Sequence, residues 1–174
     1  MVWTHFPLHP DTPQAGRSLE ELFAGRQVDL RASQARMQDL MAQEGLPYGQ
    51  RTHTYNSRLA QELGKWADTQ TQGAAFHDAM FRAYFVETQN ISDLETLVRI
   101  AERVGLSASE TRAVLTERRF KAAIDADWQR SRDFGITGVP TFVAKGRGVV
   151  GAQPYEILER LLITAGATPR HTED

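Results

Sequence analysis

The sequence predicts an α/β protein in which a long helical region precedes a β-hairpin and a final helix. Between residues 16 and 134, apolar side chains recur at helical spacing, and no convincing strand pattern interrupts them. Residues 141–144 then form a β-prone apolar run, and the hairpin-length stretch 145–148 separates it from the apolar residues 149–151. Because proline is tolerated in the first turn of a helix, a last helix is expected to begin at Pro154.

The N-terminal third predicts one strand and two helices. Residues 2–6 alternate weakly between apolar and polar side chains, which favours a short strand. Ser18-Leu-Glu-Glu21 matches the capping-box pattern and predicts a short helix through residue 23. Residues 29–44 predict a longer helix, in which Met37 and Met41 are expected to fill the core.

Apolar periodicity predicts five further helices before the hairpin, and they cover residues 55–69, 73–88, 91–105, 107–116 and 120–134. In the third of these, Ser92 is the expected N-cap and Glu95 completes a second capping box. The helix after the hairpin is expected to pack on the sheet through Leu161, Leu162 and two neighbouring apolar side chains.

Length and composition place the chain among ordinary globular proteins. A length of 174 residues suffices for one domain with a sizeable core. The net charge of −2 gives no electrostatic reason to expect nucleic acid or an anionic membrane as partner. The sequence shows neither an apolar run near the ~20 residues of a membrane span nor a signal peptide, so a cytoplasmic location is expected.

The sequence contains no cysteine. Thiol–disulfide oxidoreductases work through a thiolate, usually one of a Cys-x-x-Cys pair at a helix N-terminus. As a single polypeptide this chain is therefore expected to run no dithiol chemistry, and no catalytic residue is predicted. The histidines lie far apart and outside metal-binding spacings, so no metal site is predicted either. Arg118 and Arg119 are expected to be solvated helix surface.

The stretch Gly-Ile-Thr-Gly-Val-Pro-Thr-Phe-Val at residues 135–143, with Val-Val-Gly-Ala-Gln-Pro at 149–154, resembles the DsbA-like branch of the thioredoxin superfamily. Within that branch it is most similar to the FrnE-like dithiol-disulfide isomerases, the 2-hydroxychromene-2-carboxylate isomerases and the kappa-class glutathione transferases. Residues 6–10 and 81–86 match further family patterns. The resemblance implies a DsbA-like fold, which is a thioredoxin fold with a large all-helical insertion.

The resemblance also implies how the chain divides. Residues 1–15 and 135–166 would form the thioredoxin-like sheet and C-terminal helix, residues 16–134 the helical insertion and connecting helices, and residues 167–174 a flexible tail. In the relatives, a strand and a helix carrying Cys-x-x-Cys or a serine variant come first. The chain is thus expected to begin at the second strand of the fold and to be N-terminally truncated.

The ligand-binding residues are implied by the same resemblance. In this branch the Val–Pro bond is cis, and the residue before proline pairs its backbone with a bound peptide or glutathione. The implied ligand-binding residues here are Val139, Pro140, Thr137 and Gly138. Asn56 corresponds to an asparagine that lines the site in relatives, although capping of the following helix is an alternative role.

Three functional hypotheses remain open on the sequence. The first is a DsbA/FrnE-type homologue without redox activity that docks an extended peptide or a glutathione-like thiol ligand. The second is a glutathione-dependent isomerase or transferase of the 2-hydroxychromene-2-carboxylate type, and the third is a truncated gene model of an active dithiol oxidoreductase. No cofactor is expected other than glutathione. Because a core strand would be missing, residues 2–6 and 141–144 are expected to pair directly or across a homodimer.

Overall fold

Two short antiparallel ladders contain the strands of residues 2–168, which are the residues that the computed structural model describes. β1 (Arg17–Ser18) pairs with β2 (His53–Thr54), and β3 (Thr141–Ala144) pairs with β4 (Arg147–Val150). The β3–β4 hairpin was predicted. The β1–β2 ladder was missed, because strands of two residues are too short to show a period.

Helices make up most of the remaining described chain, and every helix that the sequence predicts is present, with ends that lie within three residues of the expected ones. In chain order they are α1 (Leu19–Leu22), α2 (Leu30–Gln43), α3 (Arg58–Ala67), α4 (Gly73–Phe85), α5 (Leu94–Arg103), α6 (Ala108–Thr116), α7 (Lys121–Asp133) and α8 (Tyr155–Thr164). None of the helices in residues 2–168 is both long enough and apolar enough to span a membrane.

Local capping explains where two of these helices begin. The capping box predicted at Ser18 is confirmed at the start of α1. At α5 the N-cap is Asp93, whose carboxylate accepts a hydrogen bond from the Thr96 backbone N–H at 2.8 Å. The prediction of Ser92 as N-cap is wrong, since the Ser92 hydroxyl instead donates to the Gln14 carbonyl at 2.6 Å. A serine followed by an aspartate offers two caps, and the long-range bond decides between them.

The described chain separates into two compact units, and residues 9–125 form the larger one. Its core lies among α3, α4, α5 and α6, which contact one another. The large apolar side chains buried in this core include Trp66, Phe76, Leu63, Leu97, Ile100 and Leu115. The domain boundaries expected at residues 15 and 134 stay a prediction.

Helix α2 behaves differently from the core helices of its unit, because it contains no buried residue. Met37 is 42% exposed and Leu40 is 45% exposed. The prediction that Met37 fills the core is therefore wrong. Helical spacing correctly predicts the helix, but it cannot reveal whether another element covers the apolar face.

Residues 2–8 and 126–168 form the second unit, in which α8 packs on the β3–β4 hairpin. The hairpin turns at Lys145 and Gly146, whose φ angles of 47° and 76° are those of a type I′ turn. Arg147 thus lies in β4 and not in the turn as expected. Leu161 is buried as predicted, whereas Leu162 is 52% exposed, so its predicted packing on the sheet is wrong. Most of the predicted tail, from residue 169 onward, lies outside the described residues.

The predicted strand at residues 2–6 is absent, and this prediction is wrong. The backbone of His5 is held by side chains of α7: its N–H donates to Asp127 at 3.0 Å, and its carbonyl accepts from Ser131 at 3.3 Å. Side chains of a helix thus take the place of a neighbouring strand. Direct pairing with residues 141–144 is not found either, because within the described residues β3 pairs with β4 alone.

Candidate functional site

The loop between α7 and β3 contains four of the five predicted ligand-binding residues. Gly135, at φ 64°, ends α7, and its N–H donates to the Arg132 carbonyl at 2.8 Å. The next N–H, that of Ile136, donates to the Ser131 carbonyl at 2.9 Å. Residues 137–140 follow, and the Val139–Pro140 peptide is cis.

Two hydrogen bonds tie this loop to the hairpin. The Thr141 hydroxyl donates to the Gly138 carbonyl at 2.7 Å. The Gly151 N–H donates to the Pro140 carbonyl at 2.7 Å, which extends the hairpin pairing one residue beyond β3. The loop is therefore a direct continuation of a strand with a fixed register.

That register determines which way each peptide group of β3 points. The Gly151–Pro140 hydrogen bond makes Pro140, just before β3, and Gly151, just after β4, a hydrogen-bonded pair. Antiparallel pairs alternate between hydrogen-bonded and non-hydrogen-bonded along a ladder. Phe142 and Ala144 consequently direct their N–H and C=O groups towards β4. Thr141 and Val143 direct theirs to the opposite edge, which has no partner strand in the described residues.

Val139 adds to this row of unpaired groups. Its side chain is 50% exposed, and neither its N–H nor its C=O makes a hydrogen bond to any described residue. We refer to the backbone of Val139, Thr141 and Val143 as the open edge. The side chains of Val143 and Val150 are also exposed and lie on one face of the hairpin, because alternate residues of a strand and their non-hydrogen-bonded partners share a face.

Thr137 and Gly138 border the open edge without dense packing around them. Thr137 is exposed. A Cβ atom added to Gly138 would meet no other atom within 4 Å. Close packing therefore does not require a glycine at position 138, and both residues leave space beside the loop.

Asn56, the fifth predicted ligand-binding residue, belongs to the unit of residues 9–125. Its amide nitrogen donates to the carbonyls of Pro10 at 3.0 Å and Thr12 at 2.9 Å. Its amide oxygen accepts from the Arg58 N–H at 2.9 Å, beside Ser57, the N-cap of α3. Asn56 thus ties a loop to the start of a helix.

The open edge offers mainly the chemistry of peptide groups, with N–H donors and C=O acceptors. Its one polar side chain is that of Thr141, whose hydroxyl donates to the Gly138 carbonyl. The described residues contain no cluster of three or more side chains that could hold a metal ion. The arrangement suits the binding of another extended backbone.

Sequence reasoning missed a polar cavity in the unit of residues 9–125. Its lining residues carry no recognisable motif: Arg51, Thr52, His53, Tyr55, Tyr84 and Thr88. They come from two stretches about thirty residues apart, joined by a 3.3 Å contact between the hydroxyls of Thr54 and Tyr84. Only the folded chain brings them together.

The chain is similar to proteins of one known family. A family model described as DSBA-like thioredoxin domain matches residues 1–162. The crystal structure of the probable DsbA oxidoreductase SCO1869 from Streptomyces coelicolor superposes with a TM-score of 0.82 and is 32% identical, covering 99% of this chain and 79% of that one. The structure of a 2-hydroxychromene-2-carboxylate isomerase is 22% identical with a TM-score of 0.66, covering 89% of this chain and 77% of that one. At that identity the likeness concerns the fold alone.

Among curated proteins, the uncharacterized protein YwbO of Bacillus subtilis is 30% identical over 116 residues. These residues are 63% of this chain and 55% of YwbO, so the match spans about half the length of that relative.

Proposed function

This chain belongs to the DsbA-like thioredoxin domain family, and we propose that it docks extended peptides on the open edge without thiol–disulfide turnover. The fold is the DsbA-like thioredoxin fold, which oxidoreductases and isomerases share. This sequence contains no cysteine. Binding and catalysis are therefore separable in this chain.

The observation that carries the proposal is the row of unpaired peptide groups at Val139, Thr141 and Val143. An extended peptide can add to an exposed sheet edge as a further strand, and its affinity then comes from main-chain hydrogen bonds. The exposed Val143 and Val150 side chains provide an apolar face beside that edge. Both features favour a peptide with alternating apolar side chains.

A bound peptide would dissociate without having been chemically changed. Disulfide exchange requires a thiolate that attacks a sulfur atom, and this chain supplies none. Glutathione, itself a tripeptide, offers peptide groups to the same edge and is the small thiol ligand of this proposal. No metal or other cofactor takes part in it.

The test is a titration of the chain with a fluorescein-labelled peptide of alternating Val and Thr, and separately with reduced glutathione. Val139→Pro removes one unpaired N–H, whereas the matched control Val139→Ala keeps it and shortens only the side chain. We expect Val139→Pro to weaken peptide binding roughly tenfold, which corresponds to about 1.4 kcal/mol. Val139→Ala should weaken it by less than about threefold.

Equal affinity of both variants, or no saturable binding of either probe by the unmodified chain, would overturn the proposal. Sedimentation equilibrium tests the alternative that a second copy of this chain, and not a peptide, covers the open edge. A homodimer that the peptide cannot dissociate would mean that a second copy covers the open edge, and peptide docking would then be wrong.

A further inference from the structure

A polar cavity lies within the unit of residues 9–125. Its volume is about 160 Å³, several times the ~30 Å³ that a water molecule occupies in the liquid. It is bordered by β2 with its neighbouring residues and by the C-terminal end of α4. A group of the size of a phosphate or a carboxylate fits such a space.

The side chain of Arg51 is held in place at this cavity. Its guanidinium carbon lies 4.6 Å from the ring centroid of Tyr84 and 5.1 Å from that of Phe85. The two rings pack edge to face with centroids 4.8 Å apart. The Arg51 carbonyl accepts a hydrogen bond from the Gln34 side chain at 2.7 Å. Stacking of this kind fixes a guanidinium while leaving its N–H groups available for an anion.

Arg51 has no carboxylate partner among the described residues. It shares this with exposed arginines such as Arg36, whereas five arginines of the same unit are paired with a carboxylate: Arg58, Arg103, Arg112, Arg118 and Arg119. The Nε atom of Arg51 is moreover shielded from solvent and has no hydrogen-bond acceptor. A buried donor without an acceptor is unfavourable, so the hydrogen bonding of this guanidinium is incomplete among the described residues.

The other lining groups are consistent with an anion. None of the lining residues is an Asp or a Glu, and hydroxyls come from Thr52, Tyr55, Tyr84 and Thr88. Thr88 has a φ of 55°, in the left-handed region that β-branched residues rarely adopt. Strained backbone positions of this kind cluster at ligand sites.

We propose that this cavity binds a small oxyanion, the phosphate or carboxylate group of a ligand, with Arg51 as its counter-charge. A guanidinium donates two parallel N–H bonds to either group. The lining hydroxyls supply further donors. The site lies within one unit and does not depend on peptide docking at the open edge.

The experiment is an NMR titration of backbone amides with sodium phosphate and, in a second arm, sodium acetate, at an ionic strength kept constant with sodium chloride. Saturable shifts are expected at residues 52–55 and 88. Arg51→Gln should weaken binding at least about tenfold. Arg36→Gln is the matched control, because Arg36 is an exposed residue of α2 whose loss removes the same charge, and binding should not change.

Arg51 also packs on two rings, so a second pair of variants tests the site independently of folding. Arg51→Lys keeps the positive charge but lacks the planar guanidinium that can donate two parallel N–H bonds. This variant should bind the oxyanion several-fold more weakly. Thr52→Val removes one lining hydroxyl with little change of shape and should also weaken binding. Stronger binding of phosphate or of acetate identifies which oxyanion the cavity takes. Shifts that chloride alone reproduces, that do not saturate, or that persist unchanged in Arg51→Gln would overturn the proposal.

Discussion

Glu62 shows what a single residue contributes to this molecule. Its side chain is 1% exposed, yet it is a carboxylate in the interior of α3. It accepts hydrogen bonds from the Nε of Arg58 at 2.6 Å and from the Nε and Nη2 of Arg118 at 2.7 and 2.6 Å. The expectation that Arg118 is merely solvated surface is therefore wrong. Its partner lies 56 residues away, which no local pattern reveals.

Replacing Glu62 by glutamine should destabilise the fold. Glutamine removes the charge that two arginines face, and losing hydrogen bonds to a charged group costs about 1.5–3 kcal/mol. Urea unfolding measures the change as a lower midpoint at unchanged slope. Glu95→Gln serves as the control, because Glu95 pairs with Arg112 on the exposed surface, and its loss should hardly move the midpoint. Equal effects of the two substitutions would contradict this account of Glu62.

The same carboxylate gives the stability a defined dependence on pH. Burial alone would raise the pKa of Glu62, but the hydrogen bonds and charges of Arg118 and Arg58 outweigh it and hold this pKa below the ordinary value of 4.5. A pKa that is lower in the folded than in the unfolded state stabilises the fold above the unfolded pKa. That stabilisation is lost as the pH falls through the folded pKa.

The stability difference between the unmodified chain and Glu62→Gln should therefore be constant from about pH 7 to pH 6 and shrink below about pH 4.5. Urea unfolding of both proteins across this range measures it. A difference that grows towards acid pH would mean that the pKa of Glu62 is raised, and the hydrogen-bonding account would be wrong.

At the scale of single elements, the β3–β4 hairpin invites a stabilising substitution. Lys145 has a φ of 47° at the first turn position, where a type I′ turn favours asparagine before glycine. Lys145→Asn should raise the free energy of unfolding by about 0.5–1 kcal/mol, since the left-handed conformation costs most residues roughly 1–2 kcal/mol. Thermal or urea unfolding measures the gain. Lys145→Ala, which keeps the Cβ without the asparagine amide, should bring no gain, and a loss of stability in Lys145→Asn would be inconsistent with the turn type.

Elements with strong local signals could be predicted, and those that depend on a partner could not. Apolar spacing and the Ser18 capping box gave helices that the structure contains. The alternation at residues 2–6 gave a strand that it does not contain, because a strand needs a neighbour and His5 bonds to α7 instead. The burial of Met37 failed for the same reason, since helical spacing carries no information about the covering element.

At the scale of the whole molecule, the candidate site was partly predictable. Local residues predicted a turn at 137–140, because its glycine and proline stand directly before an apolar run, whereas its ligand-binding role was implied only by the family resemblance. The direction of each peptide group required the β3–β4 register. The polar cavity could not be predicted, because it forms where Arg51 contacts Tyr84. The two residues lie 33 positions apart in the sequence, so no local motif contains both.

Absence of cysteine leads to a direct expectation for activity. The chain should not accelerate the reduction of insulin disulfides by glutathione beyond the rate of a protein-free control. It contains no thiolate of its own that could attack them. Turbidity of the insulin B chain measures the reaction. Acceleration above the control would refute the proposal that docking occurs without turnover.

Hydrogen exchange of the β3 amides tests the central claim most directly. In the free protein, Phe142 and Ala144 should be protected by β4, while Thr141 and Val143 should exchange at nearly unprotected rates. Saturation with the Val-Thr peptide should slow exchange at Thr141, Val143 and Val139 and leave the other two unchanged. Equal protection of all four strand amides before the peptide is added, or no added protection afterwards, would contradict an open edge that docks extended peptides.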